Sequence, residues 1–412
     1  MTTNRLAVWQ YGHRVAVIDR DDRGRPRLSY TEEALEAFTP GVPLLSWSMP
    51  LTRTRYPQGT VKPFLDGLLP EGNARLVIAA DHGLLADDTF GLLSALGRDS
   101  AGALVILADG ETPEESLTVS APPLTDEEIV GLVSRLRVAP LGVDAQVRLS
   151  LAGVQEKLLL VRRPDGTWAR PAGGIPSTHI LKPAIAAYPH TVENEAFCMR
   201  LAKHLGLPVA NVEVEVFQDR KLLVVERYDR LLHADGRVDR VHQEDFCQAL
   251  RVGPDRKYQA LGGPSLANVA QVVEVAVGPG ALEALLRAVV LNVLIGNADA
   301  HAKNLSLLHL PDGSMQLAPL YDLVSTLSYP ELDPELAMYI DDVRRITRVS
   351  RDRVLNEASS WGVPRARAAE IVEDLLARAP AAADAAQAET EDLPATVRTT
   401  FDLQSAMLKD SA

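Results

Sequence analysis

Cysteine is scarce in this chain: Cys198 and Cys247 are the only two in 412 residues. Both fall in segments that read as helices, which favours buried thiols over a disulfide and fits a reducing, cytoplasmic setting. Long apolar runs are also missing. Stretches such as Ala103 to Ala108 are far too short to span a bilayer, and the opening MTTNRLAVWQYGHRV has no basic flank leading into an apolar segment. Neither export nor membrane insertion is expected. Positive charge is in deficit, with 42 Lys and Arg against 55 Asp and Glu and a formal charge of -13. Affinity for nucleic acid comes mainly from neutralised phosphates, so any DNA contact would need a basic partner. Two common catalytic signatures, the Gly-x-Ser-x-Gly elbow and the Gly-x-x-x-x-Gly-Lys-Ser/Thr phosphate loop, do not occur. No fixed-period repeat is visible.

What remains is ordinary globular material. Hydrophobic residues make up 46% of the chain, enough for a sizeable core, and the length suggests about two to three domains. Short apolar runs alternate with charged turns from Leu6 to Leu28, predicting a small sheet. Pro63 to Pro70 and Phe90 to Gly97 read as helical pieces broken by Pro and Gly, without an evident catalytic cluster. An acidic helix over Asp126 to Arg137 lies between prolines, and a domain boundary is expected within or near Val119 to Pro140. Arg148 to Ser150 and Lys157 to Arg163 read as strands of a hairpin with one glycine at its tip, and His179 to Lys182 as a strand ending at Pro183.

A helix is predicted over Thr191 to Leu205, with Phe197, Leu201 and Leu205 on one stripe and Gly206 as its stop. A strand follows over Lys221 to Glu226. The apolar helix Ala281 to Ile295 leads into the polar loop Asn297 to Asn304, and Leu305 to Leu310 with Met315 to Leu320 form a second hairpin. The Ala-rich, acidic stretch Ala381 to Glu391 leaves two readings open, a helix with one packed face or a linker before Leu393 to Leu408.

Phosphoryl transfer needs a carboxylate beside the attacking hydroxyl, oxygen ligands for magnesium, a cation on the nucleotide phosphates and a loop that closes over them. Asp299 and Asn304 have the Asp-x-x-x-x-Asn spacing of a kinase catalytic loop, and Asp322 offers a second carboxylate after the hairpin. Lys182 ends a strand and precedes a helix carrying Glu193 and Glu195. Residues two apart face differently, so one at most meets Lys182, and Glu195 is chosen. Ser150 to Lys157 could lay N–H groups over phosphates, although one glycine makes a poor phosphate loop. Glu226 to Arg230 could be a hinge whose backbone reads an adenine edge beside Tyr228. Blander readings stand beside each: a turn cap for Asp299, a strand start for Asn304, a solvated acid for Asp322, an edge-strand charge for Lys182 and a surface ion cluster for Glu226 to Arg230. A metal set built from His301, His309, Asp299 and Asp322 matches no zinc spacing, and His204 and His242 read as ordinary helix or loop residues.

Taken in order, Ser150 to Lys157 (SLAGVQEK), Asn194-Glu195, Val225 to Arg230 (VERYDR), His242 to Gln248 (HQEDFCQ), Gly296 to Asn304 (GNADAHAKN) and Leu320 to Asp322 resemble the HipA family of serine/threonine kinases. Phe64 to Pro70 (FLDGLLP) and Gly97 to Gly102 (GRDSAG) look like that family's N-terminal domain, so the resemblance covers nearly the whole chain. It implies an α+β fold, with a small mixed N-terminal domain (1–125) on a two-lobed protein-kinase-like body. The N-lobe portion would be 126–240 and the mainly helical C-terminal lobe 241–412.

The resemblance further implies ATP and magnesium, with Asp299 as catalytic base and Asn304 and Asp322 as metal ligands. Nucleotide contacts would come from Ala152, Gly153, Val154, Gln155, Glu156 and Lys157 in the phosphate loop, from Lys182 with Glu195, and from Glu226, Arg227 and Tyr228 in the hinge. Gln243, His301, Lys303, Asn304, Tyr321 and Asp322 would line the same site. Ser150 would be an autophosphorylation switch. Family members phosphorylate an aminoacyl-tRNA synthetase and are held by a small helix-turn-helix antitoxin that binds operator DNA, so DNA would be met indirectly. Two features depart from ordinary protein kinases: Asn297-Ala298 stands where His-Arg precedes the catalytic Asp, and Thr326 to Asp342 holds no evident activation loop. A small-molecule phosphotransferase of the same fold and a catalytically silent antitoxin- or DNA-complex binding protein are the competing readings.

Overall fold

The computed structural model describes residues 4–113, 121–141, 151, 155–171 and 175–410. The first sheet has the order β3-β2-β1-β4, built from β1 (Arg5–Gln10), β2 (His13–Arg20), β3 (Pro26–Tyr30) and the later β4 (Leu104–Ala108). Between β3 and β4 run α1 (Glu32–Ala37), α2 (Gln58–Gly67), α3 (Gly72–Asp81) and α4 (Thr89–Leu96). Leu6, Val8, Ile18 and Leu28 from the sheet meet Phe64, Leu65, Leu92 and Leu93 from the helices in one buried core. The two helical pieces read from the sequence are α2 and α4.

A six-stranded antiparallel sheet of order β5-β7-β6-β8-β10-β9 comes next. Its strands are β5 (Pro123–Leu124), β6 (Leu158–Arg162), β7 (Trp168–Ala169), β8 (His179–Pro183), β9 (Val212–Phe217) and β10 (Arg220–Glu226). Alternate side chains of a strand leave opposite faces, and a strand buried on both reads as a continuous apolar run. Leu158 and Leu160 of β6, Leu181 of β8 and Leu222 and Val224 of β10 share a core with Ile129 and Val133 of α5 (Asp126–Ser134). From the other face, Leu223 and Val225 join Phe197 and Leu201 of α6 (Thr191–His204) in the largest core, while Leu159 reaches the N-terminal core. This sheet therefore presents the end of β8 to α6, which is where Lys182 and Glu195 meet.

A small antiparallel pair, β11 (Arg230–Leu232) with β12 (Val238–Arg240), leads into β13 (His242–Asp245) and the short α7 (Phe246–Ala249). The mainly helical part follows, with α8 (Leu266–Ala276), α9 (Ala281–Leu294), α10 (Arg351–Ser360), α11 (Arg365–Ala388) and α12 (Ala395–Asp410). The hairpin β14 (Ser306–His309) and β15 (Met315–Leu317) extends β13, and β16 (Glu335–Ile340) pairs with β17 (Val343–Arg345). The open question over Ala381 to Glu391 resolves as helix: α11 runs through Ala388, burying Ala382, Ala383 and Ala386. His242 is not a helix or loop residue but the first of β13, wholly buried. Both cysteines are free and buried, in α6 and α7. Among the described residues no helix is long and apolar enough to cross a membrane.

The N-terminal unit is fastened to the rest by buried charge. Arg230 and Arg240 reach Asp99 at 2.9 and 3.0 Å, Arg227 reaches Asp229 at 2.8 Å, and the Gly102 N–H donates to Asp229 at 2.7 Å. Those arginines hold the Asp99 carboxyl down at about 2 against the effect of burial. Glu244, fully buried, accepts from the Ser46 hydroxyl and the Trp47 N–H, each at 2.6 Å, and lies 2.9 Å from His309 Nε2. Buried charges persist only where paired and hydrogen-bonded, so these contacts fix the seating of the N-terminal unit.

Candidate active site

Two chain reversals set the geometry. Helix α9 ends at Gly296, whose φ is +69°; a Cβ there would lie 2.7 Å from Thr400 Cγ2 and 3.2 Å from Leu327 Cβ, so only glycine permits both the turn and the approach. The loop beyond it is pinned. Asn297 donates to Asn292 at 2.8 Å and accepts from the Asp299 N–H at 3.1 Å, while the Ala298 N–H donates to Thr326 Oγ1 at 2.8 Å. Asp322 forms the second reversal with φ +58°, a left-handed conformation that Asp tolerates better than most residues. Buried Asn194 on α6 accepts from the Ser325 N–H at 2.8 Å and donates to the Ser325 carbonyl at 3.0 Å, holding the Asp322 loop against α6.

Lys182 stands between two carboxylates, 2.7 Å from Glu195 Oε1 and 2.8 Å from Asp322 Oδ1. Burial works against the ammonium, but Asp322 and Glu195 overcome it and its pKa rises. Lys182 in turn holds the Asp322 carboxyl down at about 2, whereas burial lifts the Glu195 carboxyl against the pull of the same lysine. Glu193 turns away to Lys221 and His190, at 3.5 and 3.7 Å, as the choice of Glu195 anticipates. Lys157 is buried near this pair; burial and the neighbouring Lys182 lower its pKa to about 8, with Asp322 opposing.

Asp299 is exposed. Its Oδ1 accepts the Tyr258 hydroxyl at 2.9 Å, and its carbonyl accepts Asn304 Nδ2 at 3.3 Å, leaving the Asn304 amide oxygen as an acceptor. Partial burial raises the Asp299 pKa, while Tyr258 and Lys257 pull it down. His301 packs edge-on to Tyr258 with ring centroids 5.5 Å apart, and burial with nearby Lys257 lowers its pKa to about 3. Asn304, His301, Tyr321 and Asp322 line one cavity together with Leu336 and Met338 of β16. Tyr321 stacks obliquely on Tyr228 at 5.6 Å and donates to the Lys303 carbonyl at 2.6 Å. Tyr228 in turn donates to Gln243 Oε1.

Several expected residues have partners of their own. Arg227 gives its N–H to the Thr178 carbonyl, accepts at its own carbonyl from Arg230 and spends its guanidinium on Asp229, Ser177 and the Ser100 carbonyl, so its side chain joins the interface with the N-terminal unit. The Lys303 ammonium is taken by Asp245 at 2.6 Å. Glu226 is exposed and accepts from Asn211 at 3.0 Å, and Glu156 pairs with Arg137 at 3.0 Å on the surface. Gln155 is partly buried. Ser150, Ala152, Gly153 and Val154 lie outside the described residues. Tyr258, Lys257, Asp245 and Glu71 belong to the site's surroundings and were not singled out in the sequence. Asp245 lies inside the HQEDFCQ stretch and Glu71 directly follows FLDGLLP, so only those two carried any signal.

Comparison with known proteins identifies the family. The family description "HipA-like C-terminal domain" matches residues 149–383, and "HipA N-terminal domain" matches 6–107. A Sinorhizobium fredii protein named "Putative kinase Y4mE" is 43% identical over 358 residues, 85% of this chain and 84% of that protein. The serine/threonine-protein kinase toxin HipA of Shewanella oneidensis is 36% identical over 313 residues, 72% of this chain and 70% of that protein. A solved structure of the Shewanella oneidensis HipA, HipB and operator DNA complex superposes with a TM-score of 0.84 at 30% identity, covering 98% of this chain and 96% of that one. The chain belongs to the HipA family of serine/threonine kinase toxins.

Proposed function

We propose that this protein transfers the γ-phosphoryl group of ATP to a serine of a protein substrate, with Asp299 as the base. The bridge from Lys182 to both Glu195 and Asp322 carries the reading, because it sets a cation for nucleotide phosphates beside a carboxylate and across from the Asp299 loop. Lys182, supported by Lys157, binds and orients the phosphates, and Asp299 receives the proton as the acceptor hydroxyl attacks phosphorus. The new O–P bond forms while the bond to the β-phosphate oxygen breaks, and ADP leaves. Tyr228, Gln243 and Tyr321 form the wall next to which the adenine packs.

The donor set fits magnesium. Among the described residues no group of three or more His, Cys, Asp or Glu forms a cage, yet magnesium is ordinarily held by one or two carboxylates plus phosphate oxygens. Asp322, whose Oδ1 faces Lys182, and the Asn304 amide oxygen would hold it. When bound, the ion would neutralise the charge on the phosphates.

The same reading extends to regulation and partners. Phosphate on Ser150 would add about two negative charges to the stretch that leads into Lys157, repelling ATP and silencing the enzyme. By likeness to the Shewanella complex, a helix-turn-helix antitoxin holds the protein and brings it to operator DNA, which suits a chain with a charge of -13. The substrate is an aminoacyl-tRNA synthetase, met in the cytoplasm. The test is phosphopeptide mass spectrometry of a host lysate given MgATP and either wild type or Asp299→Asn. Phosphate on Ser150 and on one synthetase serine with wild type alone is expected. The same phosphopeptides with both proteins would refute the assignment.

A further inference from the structure

The N-terminal unit reaches into the candidate site at one point. Glu71 occupies the N-cap position of α3, and its side chain makes no capping bond there. It is buried instead, with Oε2 3.4 Å from Lys257 Nζ and Oε1 3.7 Å from Lys303 Nζ, and Oε1 has no hydrogen-bond partner. A carboxylate taken from solvent needs compensation, and both compensating cations belong to the other half of the molecule.

The two lysines differ. Lys303 already has Asp245 at 2.6 Å, whereas Glu71 is the one carboxylate paired with Lys257 among the described residues. Lys257 precedes Tyr258, whose hydroxyl donates to Asp299 at 2.9 Å, and its ammonium lies 5.7 Å from that tyrosine's ring centre. It is close enough to Asp299 and His301 to act on both electrostatically. His301, two residues beyond Asp299, is buried and neutral at physiological pH, so it brings no charge to the reaction. Lys182 and Lys303 are each bound to carboxylates of their own. Lys257 is a cation on the Asp299 side of the centre, and its carboxylate partner comes from a separate unit.

We propose that Glu71 is a positioning residue supplied by the N-terminal domain: it holds Lys257 beside Asp299, where the ammonium meets the phosphoryl group during transfer. The inference rests on the kinase assignment above and adds that the N-terminal domain completes the catalytic centre. Charge spreads over the phosphoryl oxygens in such transfers, and a correctly placed cation acts mainly on the transition state. Glu71 should therefore matter for turnover and little for nucleotide affinity.

The experiment uses full-length wild type, Glu71→Gln, Lys257→Met and the double variant, with Asp299→Asn as reference. Incorporation of labelled γ-phosphate from ATP into host lysate protein is followed at varied ATP, MgATP affinity by calorimetry and folding by thermal melting. Lys257→Met should lower kcat about 100-fold and Glu71→Gln roughly 10-fold, with MgATP affinity within about twofold of wild type. In the Lys257→Met background the Glu71→Gln change should cost nothing further, because its effect runs through that lysine. A Glu71→Gln protein with wild-type kcat, or one whose loss persists undiminished without Lys257, overturns the inference. Lys257→Met breaks the same pair from the opposite side, so a folding defect in Glu71→Gln still leaves the question decided: wild-type kcat in Lys257→Met overturns it. Wild-type incorporation by Asp299→Asn would bring down the kinase assignment itself.

Discussion

The Lys182 ammonium lies 2.8 Å from Asp322 Oδ1 across 140 residues of sequence, and its other contact, Glu195 at 2.7 Å, is almost wholly buried. Removing the cation leaves that carboxylate without its partner. Lys182→Met is expected to cost about 3 kcal/mol of stability and to weaken MgATP binding by roughly 100-fold, read by denaturant melts and calorimetry. Unchanged nucleotide affinity in a folded Lys182→Met protein would remove Lys182 from the phosphate site.

Tyr258→Phe tests the environment of Asp299. The tyrosine hydroxyl stabilises the charged carboxylate, so its loss raises the Asp299 pKa further and shifts the acid limb of the kcat/KM profile to higher pH. The basic limb should stay in place. An acid limb that moves down or not at all would show that Asp299 is not the group titrating there.

Three buried imidazoles set an acid limit on stability. Burial lowers His179 to about 4 and His242 and His301 to about 3. Each is neutral in the folded chain, while the unfolded chain takes up a proton below about pH 6.5. The stability they allow is full above pH 6.5 and drains as pH falls toward 4, on the order of 2 kcal/mol for each at pH 5. Melting points should drop through that window, and His242→Gln should flatten the drop. A slope unchanged by His242→Gln would rule that imidazole out as a contributor.

Gly102 probes the seat of the N-terminal domain. Its φ is +75°, and a Cβ there would lie 2.7 Å from the Gln243 N and 2.8 Å from His242 Nδ1. Gly102→Ala should destabilise by about 2 kcal/mol and speed proteolysis between the N-terminal domain and the kinase body. Equal proteolysis of variant and wild type would show that the contact is not limiting.

Local rules carried far in this chain where structure is local. Helix α6 follows from an apolar stripe ended by Gly206 and α9 from an almost uninterrupted apolar run, while helical geometry showed that at most one of Glu193 and Glu195 meets Lys182 and packing makes it Glu195. The pair Asp299 and Asn304 was legible from spacing and from the helix before it. Tyr258, Lys257 and Glu71 were not, because irregular segments deliver the first two and docking of a separate unit delivers the third. The hinge stretch was read from its place after an apolar strand, while the partners of the Arg227 guanidinium, Asp229, Ser177 and the Ser100 carbonyl, are set by the tertiary fold. His242 opens a strand of four residues that runs straight into a helix, too short for a period to register. Ala381 to Glu391 has high helix propensity but few large apolar residues, so packing of α11 against α6 decides its state.

The account stands most directly on transfer itself. Labelled γ-phosphate should pass from MgATP to serine of lysate protein with wild type, and fall at least 100-fold with Asp299→Asn while MgATP affinity is retained. Phosphoserine formed equally by both proteins, or label found only on a small molecule, would contradict it.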